Sequence, residues 1–284
     1  MSSSPLPAPS LPDAPERTLI VGAGDLGLAL ATRLVDAGAS VTTLNRSGKG
    51  VSGADSWVGD LAEPPSLEGL PPADLVVFTT APPGRDEAAY RLAYLDGPRR
   101  ILEALPAAPG RAVLTSTTGV HGTDDGSWVD EQSPTEPTRD TAAVVLAGER
   151  ALRAAVPTVV LRPAGIYGPG RNGLQDRVRA GDAPIARDGT VRWTNRVHRD
   201  DVVAALLVAA THAAPPDTLI AVDDEPAPRD DVIRFLVERL GAPEPSTVDV
   251  AAVTGKRCRN SALRSLGWQP EYPTYREGYA SLLG

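Results

Sequence analysis

The chain has 284 residues, enough to bury a large core as one domain or as two closely joined ones. Its apolar and charged fractions, 42% and 23%, are those of an ordinary globular protein, and a formal net charge of −8 argues against a general nucleic-acid or membrane-surface binder. No apolar run approaches the roughly 18 residues of a membrane span. A single cysteine, Cys258, excludes an intrachain disulfide, and three widely spaced histidines (His121, His198, His212) give no reason to expect a metal centre.

Residues 1–16, MSSSPLPAPSLPDAPE, are rich in Ser, Pro and Ala and have neither a basic nor an apolar region of the secretory kind. They are expected to be a disordered tail on a cytoplasmic protein. From Thr18 to about Gly168, short β-branched runs alternate with amphipathic segments. TLIVGAG, SVTTLNR, DSWVGD, DLVVFTT, RAVLTST and TVVLRPAGIYG read as strands. Most are continuously apolar over several residues, as parallel strands covered on both faces are. Helices are predicted over Asp25–Ala37, Arg85–Leu105 and Thr138–Ala155, whereas RSGKGVSGA is too short and glycine-rich for one. This alternation predicts an α/β fold with a doubly wound parallel sheet. Beyond Gly168 the chain becomes loop-rich and basic. A helix (Asp201–His212), a strand (TLIAVDD), a helix (Arg229–Leu240) and an irregular tail rich in Pro and Tyr follow. The expected division is a nucleotide-binding domain over 17–168 and 197–222, with a small C-terminal substrate lobe from 169–196 and 223–284.

The stretch VGAGDLG places Gly22, Gly24 and Gly27 as G-x-G-x-x-G directly after an apolar strand, with Asp25 and Leu26 opening the helix. Gly22 permits the tight turn, Gly24 lets backbone amides approach a pyrophosphate, and Gly27 lets helix and strand pack closely. The helix N-terminus then offers free N–H groups to an anion. The pattern predicts a dinucleotide site in a Rossmann fold. At the end of the second strand an NAD-specific site would present Asp or Glu to the ribose 2′-hydroxyl. Asn45 and Arg46 stand there instead, with Lys49 nearby. A guanidinium suits a 2′-phosphate, so NADP is expected in preference to NAD, the other reading being a solvated arginine at a strand end.

Further motifs occur in order: VGD with Asp60 and Leu61 following, TSTTGVHG, LRPAGIYGPG and RVHRDDVVAAL. Together with GAGDLG they resemble the extended short-chain dehydrogenase/reductase superfamily, the NAD-dependent epimerase/dehydratase group, over residues 17–284. The tail RNSALRSLGWQPEYPTYREGYASLL is most similar to its atypical YeeZ-like branch. The resemblance implies that Asp60 holds the adenine amino group and that Thr117 is the catalytic Ser/Thr. It also implies that Thr79, Thr80 and Ala81 line the nicotinamide-ribose side, with Pro163, Ala164 and Ile166 beneath the nicotinamide. Ser116 and Thr118 read as strand-end hydrogen-bonders.

Enzymes of the family carry Tyr-x-x-x-Lys on the helix before the sixth strand, one turn placing both groups on one face so that the ammonium lowers the phenol pKa. With Glu149 as the glutamate four residues beyond the lysine, the lysine position is Val145 and the tyrosine position is Thr141. Register cannot rescue the pair. The chain has two lysines, Lys49 and Lys256, preceded four positions earlier by Asn45 and Ala252. The candidates for its replacement are Tyr90 and Tyr94, one turn apart, His121 and His198, the histidines being suited by intrinsic pKa. Between Arg171 and Arg199 seven arginines face three aspartates, a local excess of four positive charges. Arg171, Asn172 and Arg196 are therefore candidate contacts for an anionic small-molecule substrate, with Trp193 packing on a ring or anchoring the loop. The expectation is an NADP-dependent reductase-like or epimerase-like enzyme with redesigned acid–base chemistry, monomeric or homodimeric. The alternative is a non-catalytic NADP(H) sensor.

Overall fold

In the computed structural model, which describes residues 17–283, seven strands pair in parallel: β1 (Arg17–Val21), β2 (Ser40–Asn45), β3 (Asp55–Val58), β4 (Leu75–Phe78), β5 (Arg111–Thr115), β6 (Thr158–Pro163) and β7 (Thr218–Ala221). The spatial order is β7-β6-β5-β4-β1-β2-β3. The expected tail, residues 1–16, lies outside the described residues. β1 pairs on one side with β2 (Val21 opposite Leu44) and on the other with β4 (Val21 opposite Phe78). The order reverses there, and the carboxyl ends of β1, β2 and β4 border the crevice where a doubly wound sheet takes its ligand.

The apolar runs are continuous because both faces of the sheet are covered. Ile20, Val77, Val113 and Leu161 point toward α1 (Asp25–Asp36) and the helix over Arg199–Thr211, joining Leu30, Leu34, Val202 and Leu206 in one core. Leu19, Val21, Val76, Phe78, Leu114 and Val160 point the other way and pack with Ile101 and Leu152. The second face is formed by α2 (Glu87–Arg91), a π-helical turn (Leu92–Asp96), α3 (Gly97–Ala104) and α4 (Asp140–Ala155).

Four features depart from the sequence reading. The predicted helix Arg85–Leu105 is divided by the π turn, where the Thr80 hydroxyl donates to the Ala93 carbonyl at 2.9 Å. TVVLRPAGIYG is also divided. Its second part, Gly165–Tyr167, leaves the sheet and pairs in parallel with Arg196–His198. The loop-rich segment after Gly168 contains α5 (Gly173–Arg179), ahead of α6 (Arg199–Thr211) and α7 (Arg229–Leu240). The tail expected to be irregular contains α8 (Ser261–Ser265) and α9 (Tyr275–Leu283). Helices α5, α7 and α9 form because their apolar side chains share one small core, Tyr167, Val178, Val232, Ile233, Leu236, Tyr275 and Tyr279, whereas Leu263 of α8 joins the large core. In α9, Tyr275 and Tyr279 lie one turn apart and face inward together. Among the described residues no helix is long and apolar enough to cross a membrane, and Cys258 is free and buried.

Candidate functional site

A cleft of about 760 Å³ opens at the carboxyl ends of the strands where the order reverses. One wall is the glycine loop. Gly22 has φ +79°, and a Cβ there would meet the Thr80 backbone at 2.7–2.8 Å, so only glycine fits. Gly24 differs: a Cβ there would meet nothing nearer than the Gly22 carbonyl at 3.8 Å. Its face is open to the cleft, the cradle a diphosphate requires. A Cβ on Gly27 would strike the Thr79 hydroxyl at 2.6 Å, which explains the close packing of helix on strand. Gly24 caps α1 without a side-chain bond, so amides of the first turn remain for a ligand. Leu26 turns its side chain into the core.

At the end of β2, Asn45 spends its side chain on the loop that follows. Its Oδ1 accepts from the Ser47 amide (3.1 Å), the Ser47 hydroxyl (3.0 Å) and the Lys49 amide (3.0 Å). Its Nδ2 donates to the Lys49 carbonyl at 2.6 Å. The loop so closed sets Arg46, Ser47 and Lys49 on the cleft wall, and no carboxylate stands at this strand end. Asp60 and Leu61 line the adjoining wall, Asp60 accepting the Ala62 amide at 2.9 Å. Thr79, Thr80 and Ala81 line the floor. Both threonine hydroxyls are used for scaffolding: Thr79 donates to the Gly22 carbonyl (3.1 Å), Thr80 to the π turn. Pro163 and Ile166 line the far end with Thr115, Ser116 and Tyr94, whereas the Ala164 amide donates to the Ala221 carbonyl at 3.1 Å.

The bare helix is α4. Thr141 is half-buried, and Val145 is fully buried in a small apolar cluster with Val120, Leu146, Tyr90 and Tyr94. Val145, the expected lysine position, serves here as packing. The tyrosine rings lie 5.9 Å apart. Burial, with Tyr90 beside it, pushes the Tyr94 phenol up to about 12, so it is protonated at neutral pH and can donate a hydrogen bond. Tyr90 is not part of the cleft lining.

Behind Ser116 lies a buried polar chain. The Ser116 hydroxyl donates to Glu149, and Arg162 holds the same carboxylate through Nε (3.0 Å) and a terminal nitrogen (2.5 Å). A second Arg162 nitrogen meets His121 Nε2 at 3.2 Å, and His121 Nδ1 meets the Pro134 carbonyl at 3.1 Å. A carbonyl only accepts, so Nδ1 carries the proton and Nε2 accepts from Arg162. Burial, reinforced by the Arg162 charge, pulls His121 below its usual pKa. His121 is thus a neutral strut with no ring nitrogen left for a substrate. Arg162 was not singled out by the sequence reading, and Ser116 was read only as a strand-end hydrogen-bonder. The available signals were a lone glutamate and a lone arginine in otherwise apolar runs, each needing a buried partner.

Thr117 is half-buried beside Ser116, outside the cleft lining, and its hydroxyl accepts from the Gly119 amide at 3.1 Å. His198 is buried at the start of α6 beside Tyr167. It caps α6 by accepting the Asp200 amide at 3.3 Å and lies 4.0 Å from the Tyr272 ring and 5.4 Å from that of Tyr167. Burial lowers its pKa. Of the three residues expected to hold substrate, Arg171 lines the cleft beside the glycine loop. Asn172 is the exposed residue before α5, and Arg196 is buried with a terminal nitrogen on the Thr194 hydroxyl at 2.8 Å. Trp193 is half-buried and stacks with Arg257 (4.8 Å). Among the described residues no group of three His, Cys, Asp or Glu could hold a metal ion.

The NAD dependent epimerase/dehydratase family matches residues 18–221. A candidate NAD-dependent epimerase/dehydratase from Methylobacillus flagellatus is 33% identical, with a TM-score of 0.81 over 94% of this chain and 97% of that one. Two more distant structures show the same fold. A short-chain dehydrogenase/reductase superfamily protein from Agrobacterium tumefaciens with bound NAD is 21% identical (TM-score 0.75, covering 93% and 95%). The Bordetella bronchiseptica enzyme WbmG, in complex with NAD and UDP, is 20% identical (TM-score 0.75, covering 94% and 92%). No curated protein matches.

Proposed function

The chain belongs to the NAD-dependent epimerase/dehydratase family, and from that premise we propose that it is an oxidoreductase or epimerase of the atypical extended kind. In this reading it prefers NADP(H) and acts on a small anionic substrate. The observation that carries the reading is the end of β2, where Arg46, Ser47 and Lys49 line the cleft and no carboxylate does. A 2′-phosphate needs cations and hydroxyl donors at that point, whereas a ribose 2′-hydroxyl needs an acceptor. Gly22, Gly24 and the amides opening α1 hold the diphosphate, and Asp60 and Leu61 flank the adenine. Thr79, Thr80, Ala81, Pro163 and Ile166 enclose the nicotinamide end. The bound nicotinamide supplies or accepts the hydride.

The protein supplies protons differently from its dyad-bearing relatives. Tyr94 keeps its proton and donates to a substrate oxygen. Ser116 has given its hydrogen to Glu149, so its oxygen accepts from a substrate hydroxyl, with Thr117 adjoining. The UDP bound by WbmG favours a phosphorylated or nucleotide-linked substrate. Single-turnover NADPH oxidation, run with simple carbonyl compounds and sugar nucleotides, tests this. Tyr94→Phe, Ser116→Ala, Thr117→Ala and His198→Gln are assayed alongside, and a lost acid or base lowers the rate about 10²–10⁴-fold. The apolar cluster around Val145 favours a second reading, a non-catalytic NADP(H) sensor. NADPH binding without turnover of any compound would establish it.

A further inference from the structure

Asp25 presents an electrostatic difficulty for the cleft. Its carboxylate opens α1, where it suits the helix dipole, yet a diphosphate bound at the same helix end would meet a like charge. Two arginines answer it. Arg199 donates to Asp25 at 3.0 Å, and through its other two nitrogens to Asp200 at 2.9 and 2.6 Å. That guanidinium is fully committed. Arg171 bonds Asp25 through Nε alone, at 2.8 Å. Its two terminal nitrogens have no hydrogen-bond partner among the described residues, and the side chain is 36% exposed on the cleft wall beside Gly24. The backbone beneath it is firm: the Arg171 amide donates to the Gly168 carbonyl at 2.9 Å in a turn flanked by Gly168 and Gly170.

We propose that Arg171 is a diphosphate-binding residue of the cofactor site, reaching from the small lobe while Asp25 holds its Nε. The guanidinium fork allows this division of labour, one edge anchored on a carboxylate and the other offered to an anion. A lysine has no such second edge. Because the turn over 168–171 runs directly into α5, the bond from Arg171 to Asp25 also ties α5 to the glycine loop. The inference rests on the reading of the cleft as a dinucleotide site, but not on which dinucleotide it prefers.

The diphosphate is common to NADPH and NADH, and this separates Arg171 from the 2′-phosphate contacts. Titration of both nucleotides into wild-type protein and Arg171→Ala should show both affinities falling by the same factor, about 10- to 100-fold, with the NADPH:NADH ratio unchanged. The affinity of Arg171→Ala should also depend less steeply on salt, since one screened charge contact is gone. Arg171→Lys should recover only part of the loss. Adding Asp25→Asn to Arg171→Ala should restore some affinity by removing a carboxylate left with Arg199 alone to offset it. The apo protein should melt as wild type does, because the pair is half-exposed. Unchanged affinities in Arg171→Ala, or a loss confined to NADPH, would overturn the inference. A wild-type protein that binds neither nucleotide would instead overturn the dinucleotide reading itself.

Discussion

Replacing Asp223 by Asn should make the protein more stable, and only above acid pH. Asp223 follows β7 by two residues, and its amide donates to the Arg196 carbonyl at 2.7 Å. The side chain is 2% exposed, and neither carboxylate oxygen has a hydrogen-bond partner among the described residues. Burial, only partly offset by the Arg196 charge and the Glu225 backbone amide nearby, pushes the acid from an ordinary 3.8 up to about 8. An acid whose pKa is raised in the folded state contributes no penalty below its unfolded pKa. Stability is then lost as pH rises from about 4 toward 8, and the loss levels off above that. At about 1.4 kcal/mol per factor of ten, the full rise sets a ceiling of about 6 kcal/mol. Water reaching the buried acid and the nearby guanidinium reduce this, so about 3 kcal/mol is the expected gain for Asp223→Asn at pH 9. Urea unfolding of both proteins at pH 5 and pH 9 measures it. At pH 5 the acid is neutral when folded but already ionised when unfolded, which sets a ceiling of about 1.7 kcal/mol, so with the same reduction the two should differ by less than about 1 kcal/mol. A variant less stable than wild type at pH 9 would refute the reasoning, because the carboxylate would then be stabilised by a charge partner. The histidines act in the opposite sense. His121 and His198 are held below 6.5, so the stability they allow is present above that pH and is lost as pH falls.

Two further substitutions probe the site. Gly24→Val should fold normally, since its Cβ meets only the Gly22 carbonyl at 3.8 Å, yet lose both NADPH and NADH in calorimetry; retained binding would make the loop merely structural. Val145→Ala should cost about 1–3 kcal/mol in urea unfolding by opening a cavity, and Thr141→Ala should leave turnover within a few-fold; a ~100-fold fall for Thr141→Ala would place proton transfer on that helix after all.

The doubly wound sheet was legible because most of its strands are apolar over consecutive residues, with Ser40–Asn45 and Asp55–Val58 the exceptions at one edge. The later elements were less so. Tyr275 and Tyr279 look like part of a Pro- and Tyr-rich tail until the core they share with Tyr167 and Leu236 is seen. That the glycine loop and Asn45-Arg46 stand together on one cleft wall could be read from G-x-G-x-x-G and the end of the second strand, which depend on local backbone chemistry. What sequence order alone could not give was which distant side chains meet. Arg171 appeared as one of seven arginines facing a substrate, yet it lies against Asp25, 146 residues away in the chain. His121 and His198 both stood as candidates for proton transfer. One proves to be bonded at both ring nitrogens and the other to cap a helix. The absence of a tyrosine–lysine pair needed no structure, since two lysines in 284 residues can be checked by hand. Its physical consequence did need one: the space is closed by Val120, Val145 and Leu146.

The central claim is that the end of β2 is a 2′-phosphate site. Calorimetric titration of NADPH and NADH into wild-type protein and Arg46→Ala tests it most directly. NADPH should bind the wild type more tightly, and Arg46→Ala should lose about 1–3 kcal/mol of NADPH binding, the range for a charge-assisted contact, while NADH binding stays unchanged. Equal affinities in the wild type, or tighter binding of NADH, would contradict the account.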